Sequence, residues 1–350
     1  MLKTAKKLTL LGARSLGVYS AFIKSSWRTE RLLILGYHGF SQLDEHLWRP
    51  GLFMPPAMFV RRLESISRMG CNVLPLDEAL TRLQMNSLPA MSVVLTFDDG
   101  FYNYYGVAHP VLKRFGFPST VYQTSFYSGW NRPIFNLACS YLLWRAGGKV
   151  LDAQGITGEA GSFNTQTEQE RKESTQKIIL HARSAGISQD DRQKLVERLA
   201  IAAGASYQDI SGKRLFNLMT RGELAAMVRE GVDIQLHTHR HRVPEDEELF
   251  LKELRDNQKF LDEIGQPHAT HFTYPSGVYR PDVFPWLEEY GVRSTTTCDT
   301  GLVDSHSNFQ CLPRFIDTTD ISQLEFEAWL CGLRSVLPGR SAHANGRSAR

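Results

Sequence analysis

Ser92-Val-Val-Leu-Thr-Phe-Asp-Asp-Gly100 places two adjacent carboxylates, Asp98 and Asp99, directly after an apolar run. The run Val93-Val94-Leu95 shows no polar alternation, which predicts a strand buried on both faces, as in a parallel sheet. Two unpaired carboxylates cannot lie inside such a core, because burying an uncompensated charge is very unfavourable. We therefore expect both side chains at the mouth of a sheet, beside a cation.

The composition is that of a globular protein. The chain has 350 residues, of which 42% are hydrophobic and 22% are charged, as is usual for folded domains. The net charge of +3 is too small to indicate nucleic acid, so we expect no such partner. The five cysteines include no CxxC pair, which argues against a disulfide framework and a thiolate zinc site and favours the cytoplasm.

Residues 1–29 form a basic N-terminal segment, in which lysines and arginines alternate with leucines. Its longest uncharged run, residues 15–23, is too short to span a bilayer, and it has no clear signal-peptide pattern. Two interpretations stay open. The segment is either an amphipathic helix lying peripherally on the inner face of an anionic membrane or an ordinary docking helix.

Predicted strands and helices alternate along the chain, which indicates a parallel sheet covered by helices. The predicted strands are residues 31–36, 71–75, 92–97, 119–123, 232–236, 271–274 and 292–297. Unusual residues follow four of these strands: His38, Asp98-Asp99, the cluster 237–241, and Pro275-Ser276-Gly277. A doubly wound sheet concentrates its site at one switch point, whereas a barrel builds it from several strand ends. The four separate strand ends therefore favour an α/β barrel.

The domain organisation follows from where this alternation lapses. We expect the barrel to cover residues 30–335, with a mostly helical insertion at about 131–220. Within the insertion, residues 155–173 are polar and predict an exposed loop, while 188–203 predict a helix. Residues 336–350 are rich in Ser, Gly, Arg and His and predict a disordered tail.

His237 and His241 are candidate metal ligands, because a four-residue spacing allows both rings to reach one ion. Imidazole and carboxylate ligands suit Zn²⁺, and other divalent metals are possible. His239 lies between them and would point elsewhere. Asp98 and Asp99 leave a strand in different directions, so one can bind metal while the other accepts a proton from metal-bound water.

The chain resembles the polysaccharide deacetylases (NodB homology domain, carbohydrate esterase family 4). Thr96-Phe97-Asp98-Asp99-Gly100 and His237-Thr238-x-x-His241 match the first two motifs of that family without substitution. Three further stretches follow in the family's order, so that the resemblance covers about residues 30–320: Tyr37-His38, Phe272-Thr-Tyr-Pro-Ser-Gly277 and Leu312-Pro313-Arg314.

The resemblance implies a distorted (β/α)₇ TIM-like barrel and a role for each matched residue. Asp98 matches the general base, and Asp99, His237 and His241 match the metal ligands. The backbone N–H of Ser276, after Pro275, matches a donor to the oxyanion. The implied activity is metal-dependent removal of N-acetyl groups from an N-acetylhexosamine in a polysaccharide, oligosaccharide or glycan precursor, with metal-bound water as the nucleophile.

Two family features have no clear match. The arginine of the third motif, which orients the base, is replaced by Thr273, and Arg314 or Arg280 could supply the guanidinium instead. The late Leu-His pair that supplies the general acid is also missing. His306 has the wrong neighbours, and His38 is either an alternative acid or a strand-end histidine bonded to backbone.

Two other functions stay open at this stage: hydrolysis of a non-sugar C–N bond, and non-catalytic glycan binding. A long cleft with aromatic walls would favour a glycan, and Trp130 and Trp144 are the best candidates for stacking on sugar rings.

Overall fold

A curled parallel sheet forms the centre of the molecule. The computed structural model describes the backbone of residues 2–337 and the side chains of residues 8–337. The main strands, numbered here in chain order, are β1 (Leu33–Tyr37), β2 (Ser92–Phe97), β3 (Thr120–Gln123), β4 (Asp233–Leu236), β5 (His271–Thr273), β6 (Ser294–Thr296) and β7 (Phe315–Ile316). Their spatial order is β6-β5-β4-β3-β2-β1-β7, and all neighbours are parallel.

The sheet closes through the segment that leads into β7. Thr296 at the end of β6 forms a parallel bridge with Leu312, and the N–H of Leu312 donates to the carbonyl of Thr295 at 2.9 Å. On the other side, Phe315 of β7 pairs with Leu35 of β1. The seven strands therefore surround one core, and the predicted distorted (β/α)₇ barrel is confirmed.

The apolar strands are buried as their sequences predict. Every residue of β1 and β2 is buried, because helices cover the outside of the barrel and side chains fill its inside. Two-residue strands extend the framework: Asn72–Val73 pairs with the start of β2, and Gly39–Phe40 pairs with Phe53–Met54.

The helices surround the sheet and build the insertion. The α-helices are Leu2–Ser15, Val18–Ile23, Ser26–Thr29, Glu45–Trp48, Pro56–Arg68, Leu76–Gln84, His109–Phe115, Phe135–Ala146, Ala153–Thr157, Glu168–Ser184, Gln189–Ala203, Tyr207–Gly212, Arg221–Arg229, Glu247–Glu263, Phe284–Tyr290, Gln323–Leu330 and Leu333–Val336. The sequence of residues 102–115 has a helical pattern, but its first half is a π-helical segment, Tyr104–Ala108, and only His109–Phe115 is α-helical. Pro110 lacks the N–H that a continuous α-helical ladder would use there.

The segment between β3 and β4 is built around a second hydrophobic cluster, to which Phe53 and Phe101 also belong. That cluster includes Leu142, Ile178 and Leu199, one from each of three helices. The prediction of an exposed loop at 155–173 was wrong, because Ser162–Asn164 pairs antiparallel with Val150–Asp152. Its Phe163 is buried, and a single apolar residue in a polar stretch leaves no periodic signal.

The N-terminal segment packs on the helix Gln323–Leu330. The Tyr19 hydroxyl donates to the carbonyl of Leu324 at 3.1 Å. Buried Arg28 donates to the carbonyls of Leu330 at 2.6 Å and of Ser92 at 3.0 Å. Ser92 begins β2, so this segment lies toward the barrel end opposite Asp98 and Asp99.

Two further predictions concern a membrane-spanning helix and the C-terminal tail. No helix in residues 2–337 combines the length and the apolar character that crossing a bilayer requires. Most of the predicted disordered tail, 336–350, lies outside the described residues, and Val336 ends the last helix.

Candidate metal and active site

The carboxyl ends of four strands supply the candidate residues. Asp98 and Asp99 follow β2, His237 follows β4, His38 follows β1 and Ser276 follows β5. A cavity of about 480 Å³ collects these residues together with His241. The structure therefore brings together residues that lie up to 238 positions apart along the chain, counted from residue 38 to residue 276.

Asp99 lies between the two histidines. Its Oδ1 is 3.2 Å from Nε2 of His237 and 3.1 Å from Nε2 of His241. One ligand atom from each of the three residues lies within 4.8 Å of the other two. Two imidazole nitrogens and one carboxylate oxygen at this spacing fit the three protein ligands of a divalent metal site with open positions.

A hydrogen bond fixes the tautomer of His237. Its Nδ1 lies 2.8 Å from the carbonyl oxygen of Thr273. A carbonyl only accepts, so Nδ1 carries a proton and Nε2 faces Asp99, where the neutral ring would present its lone pair to a cation. Such a bond orients metal-binding imidazoles and makes them more basic. Thr273 therefore supports the histidine through its backbone, whatever its side chain.

Asp99 and His241 shift each other's pKa values. Burial alone would raise the pKa of Asp99, but the imidazoles of His241 and His237 hold it well below the ordinary value. Burial alone would lower the pKa of His241, but the Asp99 carboxylate raises it. A carboxylate that stays ionised beside two imidazoles can bind a cation.

The backbone is strained at this end of the barrel. Asp99, Thr238, His241 and Ser276 all have φ between 54° and 70°, a region that costs free energy for residues other than glycine. At the neighbouring Gly100, with φ of 80°, an added Cβ would lie 1.9 Å from the Gln123 side chain. These constraints explain why the turn after β2 ends in glycine.

Asp98 has a different partner, Arg314. Nη1 of Arg314 donates to Oδ1 of Asp98 at 2.8 Å, and Nη2 donates to Oδ2 at 2.7 Å. Arg314 is fully buried and also donates to the carbonyl of Thr297 and the hydroxyl of Thr96. Burial would raise the pKa of Asp98, but Arg314 outweighs it and keeps the pKa below its ordinary value. Asp98 therefore stays ionised, as a base requires.

The alternative guanidinium, Arg280, does not reach this carboxylate. It donates to the carbonyl of Pro244 at 3.2 Å and pairs with Asp282. The sequence left two arginines as candidates to orient the base, and the structure brings only Arg314 to Asp98.

His38 also faces Asp98. Its Nε2 lies 3.7 Å from Asp98 Oδ2, with about a fifth of the side chain exposed. His306 is exposed, its backbone bonds to Asp304, and it does not line the cavity. His239 points away as expected, with Nδ1 2.9 Å from the Ser125 hydroxyl.

Sequence reasoning missed several residues that line the cavity. These are Arg49, Tyr127, Asn136 and Arg240. Arg240 lies within the cluster 237–241, but the other three have no spacing or neighbours that distinguish them from ordinary surface residues. The loop after β1 brings Arg49 to the cavity, and the insertion brings Asn136.

Comparison with known proteins shows which part of the sequence resembles a known family. Residues 205–297 match the family model of the polysaccharide deacetylases, and this range contains His237, His241 and Ser276. YxkH of Bacillus subtilis (strain 168), itself provisionally described as a polysaccharide deacetylase, is 33% identical over 104 residues. The resemblance to the polysaccharide deacetylases is thereby confirmed over this part of the chain.

The similarity to this curated member of the family is partial. It covers 29% of this chain and 35% of YxkH, so the chain spans about a third of the length of that relative. The aspartate pair lies outside the range matched by the family model, and only the barrel brings it to the histidines.

Solved structures show that the barrel is shared. Streptococcus pyogenes deacetylase PplD, in complex with acetate, has a TM-score of 0.56 at 18% identity, covering 88% of this chain and 99% of that one. IcaB from Ammonifex degensii has a TM-score of 0.54 at 18% identity, covering 86% and 97%. At such identities the likeness establishes the fold alone.

Proposed function

We propose that the protein is a divalent-metal-dependent deacetylase that removes acetyl groups from N-acetylhexosamine units of a glycan or glycan precursor. One observation carries the proposal: two adjacent aspartates have separate partners. Asp99 lies between His237 and His241, while Asp98 is held by Arg314. One carboxylate is thus available to a cation and the other to a proton.

A divalent ion bound by Asp99, His237 and His241 would polarise the acetyl carbonyl and lower the pKa of a water molecule. Zn²⁺ is the first candidate, because two imidazoles and a carboxylate are ligands it favours, and other divalent ions fit the same set.

Each remaining residue has a task in amide hydrolysis. Asp98 accepts the proton of the attacking water, whose oxygen bonds to the acetyl carbon. The N–H of Ser276 donates to the developing oxyanion. His38 donates a proton to the amide nitrogen as the C–N bond breaks, which leaves acetate and a free amine. His38 is proposed because no other imidazole in the described cavity lining lies outside the metal-binding group.

We also propose that the protein acts in the cytoplasm, where its five free cysteines stay reduced. The exposed side chains of Leu8, Leu11 and Leu16 support peripheral contact with the inner membrane face as a second use of the N-terminal segment, beside its packing on the barrel.

The deciding experiment measures acetate release. The purified, zinc-loaded protein is incubated with N-acetylglucosamine oligomers and with nucleotide-linked and lipid-linked N-acetylhexosamines. We expect acetate from at least one class and at least a hundredfold loss with Asp98→Asn, since base catalysis supplies about 10²- to 10⁴-fold. An Asp98→Asn protein as active as the wild type would contradict the proposal. Glycan binding without acetate release would favour the non-catalytic alternative.

A further inference from the structure

A second groove adjoins the active-site cavity and shares Arg49 with it. The groove has a volume of about 330 Å³. Trp48 and Trp144 line one part of it, and Glu168, Arg171 and Lys172 line another. It thus lies between the first loop of the barrel and two helices of the insertion.

One helix connects the cavity and the groove. On the helix Phe135–Ala146, Asn136 lines the cavity, while Ser140 and Trp144 line the groove. Residues four apart lie on one helix face, so these three form a continuous stripe. At 1.5 Å per residue the stripe is about 12 Å long, which is longer than a single sugar ring.

Arg49 has no counter-charge among the described residues. Its guanidinium lies 4.7 Å from the centre of the Trp48 ring, and no carboxylate within residues 2–337 pairs with it. Nearby Arg145 pairs with Asp44, and Arg240 pairs with Glu253. Arg49 is exposed where the cavity and the groove meet, so an anion in the groove can reach its guanidinium directly.

The rest of the groove adds to this positive charge. Arg171 donates to the backbone carbonyls of Thr165 and Gln166, and in the described chain no carboxylate lies within ion-pair distance of it. Lys172 is balanced by Glu168, 2.7 Å away. The groove therefore combines two indole rings with two guanidinium groups that have no paired acid.

We propose that this groove binds the sugar unit next to the one being deacetylated, and that this unit carries an anionic group, a carboxylate or a phosphate, which Arg49 binds. The inference rests on the proposed deacetylase function. The planar guanidinium suits the two oxygens of either anion, while the indole of Trp144 offers the sugar a large apolar face with a polar edge. The residues of the groove thus indicate that the substrate is negatively charged.

The test compares N-acetylglucosamine tetramers that differ only in one neighbouring unit: neutral, oxidised to the uronate, or 6-phosphorylated. We expect kcat/KM of the wild type to be about 10- to 100-fold higher for an acidic tetramer, because a charged hydrogen bond contributes that much. The acidic tetramer that is preferred identifies the anion. Arg49→Gln should remove most of the preference, and Trp144→Ala should raise KM.

Lys177→Gln is the matched control, because Lys177 is an exposed cation on the same helix as Arg171, Glu168–Ser184. It should leave all three rates unchanged. A wild type that releases acetate equally from neutral and acidic tetramers, with a ratio unaffected by Arg49→Gln, overturns the groove inference and leaves the deacetylase proposal intact.

Calorimetry with the Asp98→Asn protein gives a second measurement that does not depend on turnover. We expect acidic tetramers to bind at least tenfold more tightly than neutral ones, with the difference lost on adding Arg49→Gln. If no tetramer yields acetate but this Arg49-dependent binding is seen, the deacetylase proposal fails, and of the groove inference only the binding of an anionic sugar unit by Arg49 survives. Equal binding of neutral and acidic tetramers contradicts the inference.

Discussion

Arg314 forms a two-pronged ion pair with Asp98, with N–O distances of 2.8 and 2.7 Å, and both side chains are buried. These residues lie 216 positions apart in the chain, on the segments that form β7 and β2. The segment that carries Arg314 also closes the barrel, since its Leu312 bridges Thr296 at the end of β6 and the following Phe315 pairs with β1. The closure of the sheet therefore also provides the charge that orients the proposed base.

Arg314→Met should lower both stability and activity. Removing one partner of a buried ion pair leaves the other charge uncompensated, so we expect the free energy of unfolding to fall by about 3–5 kcal/mol. Urea denaturation measures this loss. Acetate release should fall about a hundredfold or more, since an unpositioned base contributes little.

The double variant Asp98→Asn/Arg314→Met separates the lost interaction from general damage. It should be more stable than Arg314→Met alone, because no buried carboxylate is left without a partner. A double variant whose losses are the sum of the single losses would show that the two side chains are not coupled. Arg280→Met, at an arginine paired elsewhere, should affect activity little.

Zinc should stabilise the protein through Asp99. For a ligand present at a hundred times its Kd, binding to the native state alone adds about 2.7 kcal/mol. Chelator-treated protein should therefore show a higher Tm after Zn²⁺ is added back, and Asp99→Asn should lose this increase. Scanning calorimetry and elemental analysis measure the two effects.

His239→Ala provides the control for the metal experiment, because His239 lies between the two proposed ligands in sequence but contacts Ser125. It should keep the zinc-dependent rise in Tm. Loss of the rise in His239→Ala but not in Asp99→Asn would assign the metal to other ligands.

His38→Gln should reduce kcat by about 10²- to 10⁴-fold, the range expected when one general acid is removed. KM should change little, because His38 is expected to act when the C–N bond breaks. Steady-state kinetics of acetate release measures both constants. His306→Gln, at an exposed histidine outside the cavity, should match the wild type, and full activity of His38→Gln would exclude His38 as the acid.

Glu230 should make the stability depend on pH. Its carboxylate accepts from His109 at 2.9 Å and from Lys113 at 2.8 Å, which lowers its pKa to about 2. A lowered native pKa stabilises the fold above the unfolded pKa of about 4.5, and this contribution is lost as the pH falls toward 2. The side chain is 41% exposed, so the effect should be about 0.5 kcal/mol.

Glu230→Gln should therefore destabilise the protein at pH 7 and much less at pH 3. Urea denaturation at both pH values, at low and high salt, measures the difference, which salt should reduce. Glu288→Gln, at an exposed glutamate on the helix Phe284–Tyr290, controls for loss of one surface charge. A Glu230→Gln effect that is the same at both pH values would contradict the ion-pair explanation.

Local patterns predicted the central strands because each one leaves a signal in its own residues. The apolar run before Asp98 and the polar residues at four strand ends were enough to predict a barrel with a site at one end. By contrast, the pairing of Ser162–Asn164 with Val150–Asp152 and the short strand Phe315–Ile316 involve too few residues to produce a periodic pattern.

The sequence by itself determined which residues could bind a metal and accept a proton, because Asp98-Asp99 and His237-x-x-x-His241 are recognisable from their chemistry and spacing. Only the tertiary structure decided which arginine meets Asp98, that His38 and not His306 lies in the cavity, and that Arg49 reaches it at all. The physical reason is that these contacts join segments far apart in the chain. Their distances depend on how the barrel closes, and no local spacing encodes that closure.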